Sequence, residues 1–105
     1  MNYMRIFVGK QKVENKDYPM DITGDTPSHE IVDLVRDKVD ALKRSGDIPV
    51  RSMIQIIKID SSPNLMVLDR PLRNIVPITD PLFIDVYLPP LGGTKRRKRK
   101  RKTRR

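Results

Sequence analysis

Apolar and polar residues alternate along two segments, one near each end of the sequence. A period of two is typical of a β-strand with one covered face, so the pattern predicts strands at Asn2–Val8 and Leu82–Leu88. In the second segment, one face carries Leu82, Ile84, Val86 and Leu88, and the other carries Phe83, Asp85 and Tyr87. These two segments are the most apolar of the predicted strands, so we expect them to be neighbours at the centre of a sheet.

A period of three and four residues in the middle of the sequence predicts one amphipathic α-helix. Thr26 is expected to be its N-cap and Pro27 its first helical residue, while Gly46 is expected to end it. The predicted apolar stripe comprises Ile31, Leu34, Val35, Lys38, Val39 and Leu42. The acidic residues Asp33, Asp37 and Asp40 are interpreted as a solvated face rather than a carboxylate cluster.

Shorter segments predict two hairpins and one irregular connection. Residues 18–23 resume the alternation after the polar residues 9–17, which predicts a hairpin with the first strand. The isoleucine-rich residues 52–59 and the residues 65–68 predict a second hairpin, with Met53 and Met66 as core residues. Three prolines in residues 69–81 predict at most a brief helical turn. A helix laid across one face of this mixed sheet gives an α+β architecture of the β-grasp type.

Charge divides the chain into two parts. Of the 22 Lys and Arg residues, ten lie in residues 94–105 (TKRRKRKRKTRR), and the other 12 stand against all 13 acids. The body therefore carries a charge of about −1 and the tail about +10. The cations of the tail are Lys95, Arg96, Arg97, Lys98, Arg99, Lys100, Arg101, Lys102, Arg104 and Arg105.

Such a tail is expected to be disordered until a polyanion neutralises it. Phosphate is the expected partner, bound with strong salt dependence and without base preference. The tail has no aromatic residue on which bases could stack. A nuclear import signal and a solubilising segment remain open as alternatives.

Composition also limits the chemistry of the chain. Cysteine is absent and His29 is the only histidine, so we expect no metal site and no cofactor, and we assign His29 no role. No nucleophile motif or phosphate-binding glycine loop is present, which predicts a protein that is not an enzyme. No segment has the length or pattern of a membrane span or a signal peptide. The expectation is a soluble intracellular protein without a membrane partner.

Several segments, in order, resemble the ubiquitin family. Residues 4–8 (MRIFV) are similar to its first strand, residues 47–49 (DIP) to its turn after the helix, and residues 84–93 to its last strand and terminal diglycine. The helix is similar at Val32, Asp33, Val35, Arg36, Lys38 and Val39. The resemblance implies a ubiquitin-like β-grasp domain over residues 1–93. It also implies a processing or conjugation point at Gly92, Gly93 and Thr94.

The basic residues 94–105 resemble the start of the small-subunit ribosomal protein to which ubiquitin is often fused. In that family the extension continues into a cysteine-ligated zinc ribbon, for which this chain has no cysteine. The resemblance implies a monomeric ribosomal protein precursor whose first domain is a folding and solubility partner. It also implies a tail that binds ribosomal RNA of the small subunit, and a deubiquitinating-type protease that cuts after Gly93. The implied location is the cytoplasm, on ribosomes, and also the nucleus or nucleolus.

The chain departs from ubiquitin at its last strand and at its terminus. Pro89, Pro90 and Leu91 replace the arginines before the diglycine, and Asp85 and Tyr87 stand at the apolar recognition patch, where we expect a protein-interaction surface. Two alternative functions stay open beside the cleaved precursor. One is a modifier that is conjugated through Gly93. The other is an uncleaved interaction module with an RNA-binding or nuclear-import tail, in which the diglycine is only a flexible hinge.

Overall fold

Five β-strands and one α-helix form the regular structure of residues 2–90, the residues that the computed structural model describes. The strands are β1 (Asn2–Val8), β2 (Gln11–Lys12), β3 (Tyr18–Met20), β4 (Ile56–Lys58) and β5 (Leu82–Leu88), and the helix α1 is Ser28–Ser45. Short 3-10 turns occupy Val13–Asn15, Leu65–Val67 and Leu72–Asn74. The α+β class predicted from the sequence, with a mixed sheet and one main helix, is confirmed.

The strands form one sheet in the order β2, β1, β5, β4, and β3 also pairs with β1. β1 and β5 are parallel and in register along their whole length, from Asn2 beside Leu82 to Val8 beside Leu88. The other pairings are antiparallel. The first and last predicted strands are therefore central neighbours, as their apolar character predicts.

The core lies between one face of this sheet and α1. The inward residues of the two central strands, Met4, Ile6, Ile84 and Val86, are at most 3% exposed. They form one hydrophobic cluster with the buried helix residues Ile31, Val32, Val35, Val39 and Leu42. Because every second residue of a strand points to this cluster, the intervening residues of β1 and β5 share the opposite face.

The helix differs from its prediction at its N-terminus and along its stripe. It begins at Ser28, and Pro27 is the N-cap with an extended backbone. The prediction that Thr26 caps the helix was wrong, because the Thr26 hydroxyl accepts a hydrogen bond from the Thr23 amide at 2.9 Å. Leu34 was wrongly placed in the buried stripe, since 42% of its surface is exposed. The end at Gly46 is confirmed by its left-handed φ of 89°.

The predicted second hairpin was wrong. Of residues 52–59, only Ile56–Lys58 form a strand, and Leu65–Val67 form a 3-10 turn. The Asn64 side chain explains the turn, because its Oδ1 accepts hydrogen bonds from the amides of Met66 and Ile57, each at 3.1 Å. Met53 is 75% exposed, so its core assignment was also wrong, whereas Met66 packs partly against the core.

The first hairpin and the proline-rich connection agree more closely with the sequence. β2 and β3 both pair with β1, and the 3-10 turn Val13–Asn15 separates them, with Glu14 and Asn15 at positive φ. Residues 69–81 contain only the brief turn Leu72–Asn74. Both segments therefore have the irregular character that their polar residues and prolines predict.

Candidate binding surface

The sheet face opposite α1 carries two pairs of stacked aromatic rings. Parallel registry places Tyr3 beside Phe83 and Phe7 beside Tyr87. Their ring centroids are 5.7 Å and 5.3 Å apart, with interplanar angles of 22° and 14°. All four residues are half-buried. Offset stacking of this kind stabilises a contact by about 0.5–1.5 kcal/mol beyond its buried area, so each pair ties β1 to β5.

An ion pair between Arg5 and Asp85 separates the two aromatic pairs. Arg5 Nε donates to Asp85 Oδ1 at 2.7 Å and Arg5 Nη2 donates to Oδ2 at 3.0 Å, so the contact is bidentate. The hydrogen bond to Asp85 raises the pKa of the Arg5 guanidinium. The same guanidinium lies 4.5 Å from the centroid of the Phe83 ring. Asp85 is only 7% exposed, so its charge is largely enclosed by this partner.

Strand β4 extends the same face on its other side. Registry places Ile56 beside Tyr87 and Lys58 beside Asp85. Lys58 Nζ lies 5.8 Å from the centroid of the Tyr87 ring, and Ile56 is 40% exposed. Burial, followed by the charge of Asp85, raises the pKa of the Tyr87 hydroxyl, which therefore stays protonated at neutral pH. We call this surface the aromatic face, and it comprises Tyr3, Arg5, Phe7, Ile56, Lys58, Phe83, Asp85 and Tyr87.

The two predicted interaction residues, Asp85 and Tyr87, differ in their accessibility. Asp85 and Tyr87 do share the aromatic face, but Asp85 is held by Arg5 and only Tyr87 offers an accessible group. The sequence analysis placed Phe83 on the same face as Asp85 and Tyr87, but it did not identify Tyr3, Phe7 or Phe83 as interaction residues. The signal for them was present, because the same alternation that buries Met4 and Ile84 turns these aromatic residues outward.

The chain leaves the sheet at the end that carries Phe7 and Tyr87. The Gly9 amide donates to the Leu88 carbonyl at 2.9 Å, and Gly9 has a φ of +63°. A Cβ at Gly9 would lie 3.0 Å from the Cβ of Pro90, so the missing side chain lets the two segments pack closely. An open groove of about 470 Å³ adjoins this point and is lined by Val8, Gln11, Lys12, Val13, Glu14, Asp47, Pro49 and Pro90.

The predicted processing residues Gly92, Gly93 and Thr94 lie outside the described residues. So do all ten predicted nucleic-acid contacts, from Lys95 to Arg105. The structure therefore brings the chain to a defined exit at Pro90, and the roles of the residues beyond it remain predictions.

His29 forms a polar contact of its own at the start of α1. Its Nδ1 lies 2.9 Å from Asp69 Oδ1, and this hydrogen bond raises the pKa of the exposed imidazole. Within residues 2–90, no group of three or more potential ligand side chains could hold a metal ion. In the same range, α1 lacks the apolar character that a membrane-crossing helix needs.

No family model, curated protein or solved structure matches this chain in comparisons with known proteins. The aromatic face can stack planar groups on its rings, and Lys58 can attract an anion. The Tyr87 hydroxyl can donate a hydrogen bond. These are properties of a binding surface.

Proposed function

We propose that this chain is a non-enzymatic, ubiquitin-like β-grasp domain of a ribosomal protein precursor, cleaved after Gly93. The observation that carries the proposal is the parallel pairing of β1 with β5 at the sheet centre, with the hairpin, α1 and β4 between them in sequence. This element order supports a β-grasp. β5 ends at Leu88, five residues before Gly93, which is where a diglycine would follow the last strand of such a domain.

The exit of the chain supports processing at the diglycine. Pro90 packs against Gly9, so the segment that leads to Leu91 starts from a fixed point at the end of the sheet. Two residues without side chains can pass through a narrow protease tunnel and expose the Gly93 carbonyl to attack. A protease that binds the folded domain would then find its scissile bond a short, fixed number of residues away.

The charge distribution supports a role as a folding and solubility partner. A segment of charge about +10 would bind polyanions without selection as soon as it is synthesised. A folded domain of charge about −1 at its amino-terminal side supplies a soluble body during synthesis and delivery to the small ribosomal subunit. Cleavage would then release the basic segment for contact with ribosomal RNA.

Mass spectrometry of the intact chain after incubation with a panel of purified deubiquitinating proteases tests this proposal. We expect a product of residues 1–93. Gly93→Val should abolish it, because a branched side chain blocks the tunnel, whereas the matched variant Thr94→Ser should be cleaved normally. Survival of the full chain with every protease would contradict the proposal.

A second candidate function is an uncleaved interaction module. The aromatic face favours this candidate, because four half-buried aromatic rings on one face of the sheet provide a surface that could bind a partner. The mass spectrometry experiment distinguishes the two candidate functions. If the chain is an uncleaved interaction module, all 105 residues should remain intact after incubation with the proteases.

A further inference from the structure

We propose that the aromatic face binds single-stranded RNA by stacking bases on its rings. The inference goes beyond the proposed precursor role and does not depend on cleavage, because every residue of the face lies within residues 2–90. Single-strand binders combine aromatic rings, on which bases stack, with cations that follow the phosphates. This protein holds both components.

The two aromatic pairs form two separate stacking platforms. Phe7 lies four residues beyond Tyr3 on β1, a separation of about 13 Å along the strand. Tyr87 and Phe83 are spaced in the same way on β5. All four residues are half-buried, so both platforms keep part of their side-chain surface accessible to solvent. The face can therefore receive more than one base.

The charges around the platforms suit a phosphate backbone. Arg5 lies between the two platforms, and Asp85 neutralises it while holding it in place. Lys58 stands over the Tyr87 ring, and no carboxylate of residues 2–90 forms an ion pair with it. Asp85 stands beside Lys58 in the register but is already bound by Arg5. A phosphate next to a base on Tyr87 would thus meet a cation that is in no ion pair.

The place of the basic tail in the sequence strengthens the choice of RNA over a protein partner. Lys95, the first cation of the tail, follows Leu88 by seven residues, a reach of at most about 25 Å from the platform of Phe7 and Tyr87. The tail has ten cations and no aromatic residue, whereas the face has rings and few free cations. The ion pair also interrupts the apolar surface, which suits separate bases better than a continuous apolar protein contact.

A comparison of two oligonucleotides with equal charge tests the inference on the full chain. The probes are a fluorescent single strand of about 12 uridines and an abasic strand of the same length, which has phosphates but no bases. The tail should bind both, and stacking should make the uridine strand bind about five-fold tighter or more, as measured by anisotropy. Tyr87→Leu and Phe83→Leu keep the strands apolar but remove a ring, so each should reduce this ratio towards one without weakening abasic binding.

Val67→Ala is the matched control, because Val67 is 76% exposed and lies outside the aromatic face. It should leave the ratio unchanged. Equal affinity for the two strands, or a ratio that neither leucine variant changes, would overturn the inference and would leave the face to a protein partner.

Amide chemical shifts of the unaltered chain provide a second measurement, which remains decisive if a leucine variant does not fold. Shifts in β1 and β5 caused by the uridine strand and not by the abasic strand would support the inference. Shifts confined to residues 94–105 would overturn it. Neither readout involves proteolysis, so the inference and the proposed cleavage can fail separately.

Discussion

The ion pair of Arg5 and Asp85 joins the two central strands at the middle of the aromatic face, but its partners are unequally buried. The side chain of Asp85 is 10% exposed and that of Arg5 is 31% exposed. Removing Arg5 leaves a buried carboxylate without its partner, whereas removing the charge of Asp85 leaves a guanidinium that can reach water. We therefore expect Arg5→Met to lower the free energy of unfolding by about 1–3 kcal/mol and Asp85→Asn to lower it by less.

Urea unfolding of both variants at neutral pH measures this difference. A loss for Asp85→Asn equal to or larger than that for Arg5→Met would show that the carboxylate is better solvated than the structure indicates.

The pKa of His29 should lie above the ordinary value for histidine, because protonated imidazole is favoured beside Asp69. Since the pKa is raised in the folded state, the contribution to stability is complete below the unfolded-state value of about 6.5. It is lost as the pH rises through the folded-state pKa. The only histidine of the chain can be followed by proton NMR. Asp69→Asn should lower its pKa, and an unchanged titration would refute the contact.

Two substitutions in the helix α1 measure how far its buried apolar stripe stabilises the fold. Ile31 is fully buried, whereas Leu34 on the next turn is 42% exposed. Ile31→Ala should lower the free energy of unfolding by about 2–5 kcal/mol, because it leaves a cavity in a packed core. Leu34→Ala should change it by less than about 1 kcal/mol, and urea unfolding compares the two. Similar losses would mean that the helix packs on the sheet in another orientation.

The turn at Asn64 offers a second test at this scale. Its Oδ1 accepts two amide hydrogen bonds, one from Met66 and one from Ile57, and thereby connects β4 to the 3-10 turn. Asn64→Ala should lower the unfolding free energy by about 1–2 kcal/mol. Asn64→Asp, which keeps the Oδ1 acceptor of both hydrogen bonds, should retain most of the stability in thermal unfolding. Equal losses for the two variants would show that the hydrogen bonds to Oδ1 do not stabilise the turn.

The elements that the sequence predicts well are those that bury one face along their whole length. β1, β5 and α1 follow their hydrophobic periods, and Gly46 ends the helix as expected. The prediction of a second hairpin was wrong because the composition of the apolar residues 65–68 is typical of a strand. The hydrogen bonds of the Asn64 side chain nevertheless stabilise a 3-10 turn at Leu65–Val67. Such a local side-chain contact cannot be read from hydrophobic alternation.

The candidate surface was only partly predictable for a related reason. Alternation places Asp85 and Tyr87 on the outer face, and the pairing of β1 with β5 was expected. Stacking of Phe7 on Tyr87, however, also needs the exact register, and the bidentate contact of Arg5 needs it too. A shift of one residue would have turned these side chains into the core.

At the scale of the whole molecule, the chain combines a nearly neutral α+β body with a segment of charge about +10. The body stabilises itself through one hydrophobic cluster and presents the aromatic face. The residues that would carry processing follow the exit at Pro90. We propose that these two parts are made together and are then separated at Gly93.

The most direct test is to express the chain in eukaryotic cells with an amino-terminal tag and to determine the carboxy-terminal residue of the recovered domain by mass spectrometry. We expect a domain that ends at Gly93, and a Gly93→Val chain that is recovered whole. Recovery of the unaltered chain with Arg105 as its last residue would contradict cleavage after Gly93.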